Sequence, residues 1–219
     1  MSKIIPQKPF LLMLYGYPGS GKTYFSRQFA QEVQAANLQA DRIRSELFDK
    51  PRFDQQENNI VAQLMDYMTE EFLSAGVSVI YDTNAMRLVQ RRALRSLAKK
   101  HGSSALVVWF QIDIESAFLR NVKRDRRRND DQYAASWDRT TFDSLVEKMQ
   151  NPDYHEEPIV VSGKHNFSTQ RNSVISRLRH TNVLSIKDYT NNLAKPGMIN
   201  LVPHSTGRVD MSRRNISIK

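Results

Sequence analysis

Cysteine is absent from this sequence, which excludes disulfides and thiol catalysis. No apolar run approaches the roughly 18 residues that a transmembrane helix needs, so no membrane partner is expected. The N-terminus has an early lysine, Lys3, but no apolar segment behind it, so no signal peptide is expected. The five histidines, at 101, 155, 165, 180 and 204, lack metal-ligand spacing and read as surface or packing residues. No internal repeat is visible. Together these absences favour a cytoplasmic location.

What is present is one domain's worth of chain, 219 residues, 40% of them hydrophobic. The formal net charge is +9 and the isoelectric point about 9.8. A basic balance suits a polyanionic partner such as nucleic acid. The plainer alternative is an enzyme whose basic residues serve a phosphate-rich nucleotide and a lid over it.

The stretch Gly16-Tyr17-Pro18-Gly19-Ser20-Gly21-Lys22-Thr23 fits G-x-x-x-x-G-K-[ST], the phosphate-binding P-loop. The apolar run Phe10 to Tyr15 before it suits a strand buried on both faces. After it, Phe25, Phe29 and Val33 fall at helical spacing over Thr23 to Ala36. Glycines let the backbone close around phosphate oxygens, and the amides of the loop and the helix N-terminus face the anion. The backbone of Gly16, Pro18, Gly19, Ser20 and Gly21, with Lys22, would hold the phosphates of ATP, and the Thr23 hydroxyl would ligate Mg²⁺.

Beyond this motif, strands and helices alternate. Leu38 to Ala40 reads as a second strand, leading to Asp41, which is placed to cap the helix 41–48. A long helix over 58–74 carries the stripe Ile60, Val61, Leu64, Met65, Met68, Phe72 and Leu73, and Gly76 closes it. Strands follow at 77–81, 105–110 and 158–161. Helices are expected at about 86–101, with Leu88, Arg91, Arg92 and Arg95 split between a buried and a charged face, from about 115 into the arginine run, at 137–149 and at 168–179. The pattern predicts an α/β P-loop NTPase fold with a five-stranded, mostly parallel sheet over residues 1–180. Residues 181–219 read as a basic, extended tail in which Leu184 and Ile186 could still dock on the domain.

Ligands gather at the C-terminal ends of such strands, where Asp41 and Asp82 also fall. Asp82, ending Val79-Ile80-Tyr81-Asp82, reads as the carboxylate that helps hold Mg²⁺, or alternatively as a turn residue. Asn84 beside it is a candidate substrate contact. Asp41 is the candidate general base for an acceptor hydroxyl. Arg44, one turn later, could orient that base or clamp an anionic acceptor. The run 120–128 is dense in arginine, and Arg120 and Arg124 could stabilise transferred charge from a mobile lid over about 120–135. A solvated helix face is the bland alternative.

The order Gly-x-Pro-Gly-Ser-Gly-Lys-Thr, Asp41-x-Ile-Arg44, Ile80-Tyr81-Asp82-Thr83-Asn84 and Arg120-Asn121-x-x-Arg124 resembles the kinase domain of 5′-polynucleotide kinases and the related P-loop kinases that phosphorylate seryl-tRNA. The resemblance covers about residues 10–160, and zeta-toxin-like kinases share the same framework. It implies a base at Asp41, an acceptor-phosphate contact at Arg44, and lid arginines at Arg120 and Arg124 over ATP. The acceptor it favours is a 5′-hydroxyl or a tRNA-borne group. A small-molecule kinase is the alternative, and a nucleotide-switched nucleic-acid-binding protein is the reading outside enzymes. No motif contacts a purine recognisably, so ATP and GTP are not separated.

Overall fold

The structure is a computed structural model, and it describes residues 3–83, 87–125, 127 and 132–185. Its centre is β1 (Phe10–Tyr15), all six residues of which are buried. A strand with both faces covered reads as one unbroken apolar run, and this one does. Around it lie β2 (Ala36–Gln39), β3 (Val79–Asp82), β4 (Ser104–Gln111) and β5 (Ile159–Ser162), in the spatial order β2-β3-β1-β4-β5. Every pairing is parallel, with Leu12 opposite Ile80 on one side and opposite Leu106 on the other. The sheet is therefore wholly parallel, and each connection is a crossover through helix.

Alternate residues of β1 serve opposite faces. Leu11, Met13 and Tyr15 join Val61, Met65 and Leu73 of α3 (Gln55–Ser74) and Leu94 and Ala98 of α4 (Leu88–Lys100) in one core. On the other face, Phe25 and Phe29 of α1 (Lys22–Glu32) stack at 5.2 Å, and Phe25 meets Phe110 and Phe167 edge-on or tilted. Buried Val174, Ile175 and Leu178 of α7 (Phe167–His180) complete that layer. Of three shorter helices, α2 (Ala40–Leu47) starts directly after β2, α5 (Ile114–Val122) follows the end of β4, and α6 (Arg139–Glu147) packs its Phe142 against Phe118 of α5.

Several boundaries differ from the sequence pattern, each for a physical reason. The helix after the P-loop stops at Glu32, because buried Val33 turns extended and bridges to Ile4. Asn37 therefore lies inside β2. The long helix starts three residues early, since the Asp54 side chain accepts from the Glu57 amide and caps it. Ile60 is left 40% exposed, outside the buried stripe of Val61, Met65, Thr69 and Leu73. Arg91 belongs to the buried face of α4, not the charged one. It is fully buried, forms a two-pronged pair with Glu156 at 2.8 and 2.7 Å, and lies over the Tyr15 ring. Sequence periodicity scores an arginine as polar and cannot see its partner 65 residues away.

Residues 181–185, read as the start of the tail, pack on the domain. Val183 and Leu184 are buried, and the Gln7 amide donates to the Val183 carbonyl at 2.9 Å. The remainder of the expected tail, 186–219, lies outside the described residues, as do Asn84 and part of the expected lid, at 126 and 128–131.

Candidate active site

The turn between β1 and α1 is built by glycines that no other residue could replace. Gly19 has φ +85°, and a Cβ there would sit 2.3 Å from the Ala117 carbonyl of α5. Gly16 approaches β4 closely too, with a Cβ position 2.7 Å from the Phe110 carbonyl. The loop is thus pressed onto β4 and α5, and it closes on itself where the Ser20 amide donates to the Tyr17 carbonyl at 3.0 Å. Ser20 is buried and Pro18 is covered, so both serve the loop through backbone. Gly21 caps α1 without any side chain, leaving the helix N-terminus open to an anion.

A cavity of about 410 Å³ opens above this loop. Its walls include Gly19, Gly21, Lys22, Thr23, Asp41, Asp82, Arg120 and Arg124, which the sequence singled out from four separate stretches. Lys22 donates through Nζ to the Gly16 carbonyl at 2.7 Å and the Tyr17 carbonyl at 2.9 Å. Burial lowers its pKa from 10.5 to about 8; the carboxylates of Asp82 and Asp41 pull the other way, and Arg124 adds to the lowering. Asp82 is buried at the end of β3, and burial raises its pKa to about 6 against hydrogen bonds from Ser26 and Thr23. The Ser26 hydroxyl donates to Asp82 Oδ2 at 2.8 Å, and the Thr23 hydroxyl to Oδ1 at 3.4 Å.

Asp41 is the second residue of α2, behind the capping position, which Gln39 occupies without a side-chain bond. Its carboxylate is therefore not spent on capping. It is half-buried on the cavity wall, and burial raises its pKa while Arg124, Arg44 and Lys22 oppose that shift. Arg44 itself is not on the cavity wall. It is 6% exposed, donates to Glu57 at 3.4 Å and to Asn58 at 2.7 Å, and lies 4.6 Å over the Phe53 ring. The expected helix through the arginine run ends at Val122, so Arg120 is in its last turn and Arg124 beyond it. Arg120 donates to the Gly163 carbonyl at 2.7 Å, and Arg124 donates to the Ala135 carbonyl. Asn121 donates to the Trp137 carbonyl, so the segment 133–137 folds back on the end of α5.

Thr23, Ser26 and Asp82 present hard oxygen atoms beside an anion-binding loop, a donor set that fits Mg²⁺ shared with phosphate oxygens and water. Among the described residues no group of three His, Cys, Asp or Glu forms a metal cage. A P-loop ion needs none, because phosphate completes its shell.

A family model described as an AAA domain (AAA_33) matches residues 11–152, well over half of the chain. The chain belongs to this family of P-loop proteins. The family span covers the loop, Asp41, Asp82, Arg120 and Arg124. No curated protein matches the chain. Among solved structures, Kti12 from Chaetomium thermophilum, in complex with ADP-AlF3, is 16% identical with a TM-score of 0.61, over 80% of this chain and 99% of that one. The APS kinase CysC of Mycobacterium tuberculosis, in complex with AMPPNP and APS, is 17% identical with a TM-score of 0.58, over 80% and 99%. A gluconokinase from Sinorhizobium meliloti 1021 is 14% identical with a TM-score of 0.56, over 79% and 93%. The AAA_33 chain thus has a P-loop NTPase fold, one it shares with solved structures named as kinases.

Sequence reasoning missed Ser26, although it lies one helical turn from Thr23 and so on the same face. It also missed Arg27 and Tyr24 of α1, Gln39, Tyr133, and the group Gly163, His165 and Gln170 after β5, all on the cavity wall. Nothing local marks these last three.

Proposed function

We propose that this chain is an ATP- and Mg²⁺-dependent phosphotransferase that moves the γ-phosphoryl group to a hydroxyl. The observation that carries the reading is the single cavity in which Lys22, Thr23, Asp82, Asp41 and Arg124 meet. The loop amides and Lys22 hold the phosphates, and Thr23 and Asp82 hold the ion, which supplies charge neutralisation at the phosphate oxygens. Asp41 accepts the proton of the attacking hydroxyl as the new O–P bond forms and the bond to the leaving ADP breaks. A carboxylate held partly out of water, with its pKa raised, is the stronger base for this. Arg124, next to both Asp41 and Lys22 in charge coupling, is placed to stabilise the transferring group.

The acceptor we favour is a small hydroxylated metabolite. Arg44, assigned by resemblance to an acceptor phosphate, is engaged with Glu57 and Asn58 and is not on the cavity wall, although its charge reaches Asp41. Structures named as a sugar kinase, a gluconokinase and an APS kinase share the fold. A nucleic-acid hydroxyl is the second reading, supported by the +9 charge and the arginine-dense segment. Kinase function in residues 1–180, with a lid over about 120–135, is part of the same proposal.

Purified protein is incubated with γ-labelled ATP and Mg²⁺ against polyols, sugars, nucleosides, 5′-OH oligonucleotides and bulk tRNA, beside Lys22→Ala and Asp41→Asn. Label on a small molecule, lost in both variants, is the expected result. Label on an oligonucleotide selects the second reading. Full turnover in either variant overturns the scheme, and nucleotide binding with no product on any acceptor turns it into a nucleotide switch.

A further inference from the structure

One buried polar group on the cavity wall has half of its hydrogen-bonding capacity unused. Gln170 stands in the first turn and a half of α7 and is 5% exposed. Its Nε2 donates to the Ser162 carbonyl at 2.8 Å and to the His165 carbonyl at 3.2 Å. Two carbonyls facing one amide nitrogen fix which end is which, because a flipped amide would set Oε1 against two acceptors. Among the described residues Oε1 accepts no hydrogen bond, and it is not sealed from solvent. With the donor edge turned to backbone, the acceptor edge is the one left for the cavity.

The cavity wall draws on both sides of β1. Gln39, Asp41 and Asp82 come from the ends of β2 and β3 on one side, and Gly163, His165 and Gln170 follow β5 at the opposite edge of the sheet. On the phosphotransfer reading, on which this inference rests, the γ end of the nucleotide points to Asp41. The nucleoside is then left with the Gly163–Gln170 end.

We propose that Gln170 is the residue that reads the base, its Oε1 accepting a hydrogen bond from the exocyclic amine of adenine. Guanine carries a carbonyl oxygen at the same place, and would set two acceptors against each other with the buried amide unable to turn. A polar group built to pair with a ligand amine rejects the analogue that lacks it more strongly than an apolar wall rejects a change in size.

The test measures binding of ADP, GDP and purine riboside diphosphate, which has hydrogen in place of the amine, to the full chain by titration calorimetry. Unmodified protein should bind ADP about tenfold more tightly than purine riboside diphosphate, the value of one hydrogen bond of ordinary strength, and GDP more weakly still. In Gln170→Leu, shown to be folded by circular dichroism, the ADP and purine riboside values should converge within about twofold. That variant leaves the Ser162 and His165 carbonyls without their donor, so if it does not fold, the ligand series on the unmodified chain decides alone. Equal binding of ADP and purine riboside diphosphate, or GDP bound as tightly as ADP, overturns the assignment while leaving the phosphotransfer reading intact. Failure of all three ligands to bind removes both.

Discussion

Lys22 should take up a proton when nucleotide binds, and the size of that uptake follows from its burial. In the free protein, burial lowers its pKa from 10.5 to about 8, with its amine resting on the carbonyls of Gly16 and Tyr17. A bound polyphosphate favours the charged amine and returns the pKa well above the working range. At pH 8, then, about half a proton should be absorbed per ADP bound, about 0.1 at pH 7 and about 0.9 at pH 9. The same linkage makes affinity fall by about tenfold per pH unit above that value, because binding must then supply the proton. Calorimetry of Mg²⁺-free ADP binding at pH 8 and 9, in two buffers of very different ionisation enthalpy, reads the uptake directly. Asp82, at about 6 in the free protein, is ionised there, and any proton it gained on binding would be seen equally in Lys22→Met. Lys22→Met should abolish the uptake as well as weaken binding. No proton uptake at pH 8, or the same uptake in Lys22→Met, would refute the placement of this lysine beneath the phosphates.

Four further outcomes are expected. Asp82 has its folded pKa raised above the unfolded one, so its contribution to stability is present below pH 4 and lost as pH rises through about 6. Asp82→Asn should therefore stabilise the free protein at pH 8 by up to about 3 kcal/mol, the two-unit shift converted, with the gain vanishing near pH 4 in chemical unfolding, while Mg²⁺-dependent turnover is lost. In the unmodified enzyme the same group should give kcat/KM an acid limb near pH 6. Glu156→Ala should cost about 3–5 kcal/mol in urea unfolding, because it strands fully buried Arg91 without its counter-charge; an effect below about 1 kcal/mol would mean that the pair is hydrated and weak. Gly19→Ala should abolish ADP binding in a chain that still folds, since both the positive φ and the Ala117 carbonyl exclude a methyl group there; binding within tenfold of the unmodified protein would show that the loop can move aside.

The fold and the centre of the site could be read from the chain for the same reason: both rest on short-range pattern. A doubly covered strand announces itself in six consecutive residues, and the P-loop in eight, so their juncture fixed the sheet's middle and the phosphate end of the cavity. Asp41 and Asp82 followed because each ends or closely follows a strand, and a parallel sheet gathers such ends on one edge. What escaped were features decided across the fold. Arg91 is a core residue because Glu156 comes to it, and Arg44 is withdrawn from the cavity because Glu57 and Asn58 hold it. Gln170 stands at the cavity because β5 ends beside the loop, where Gly163 packs against the Ser20 carbonyl so closely that a Cβ would lie 2.7 Å from it. Charge alone misleads at such positions: a sequence shows which residues can ionise, while the fold decides which charges are already answered. Arg44 and Arg124 look equivalent in composition, yet Arg44 pairs with the Glu57 carboxylate and is not on the cavity wall, while Arg124, hydrogen-bonded to the Ala135 carbonyl, lines it, and that difference bears on the choice of acceptor more than the net charge of the chain does.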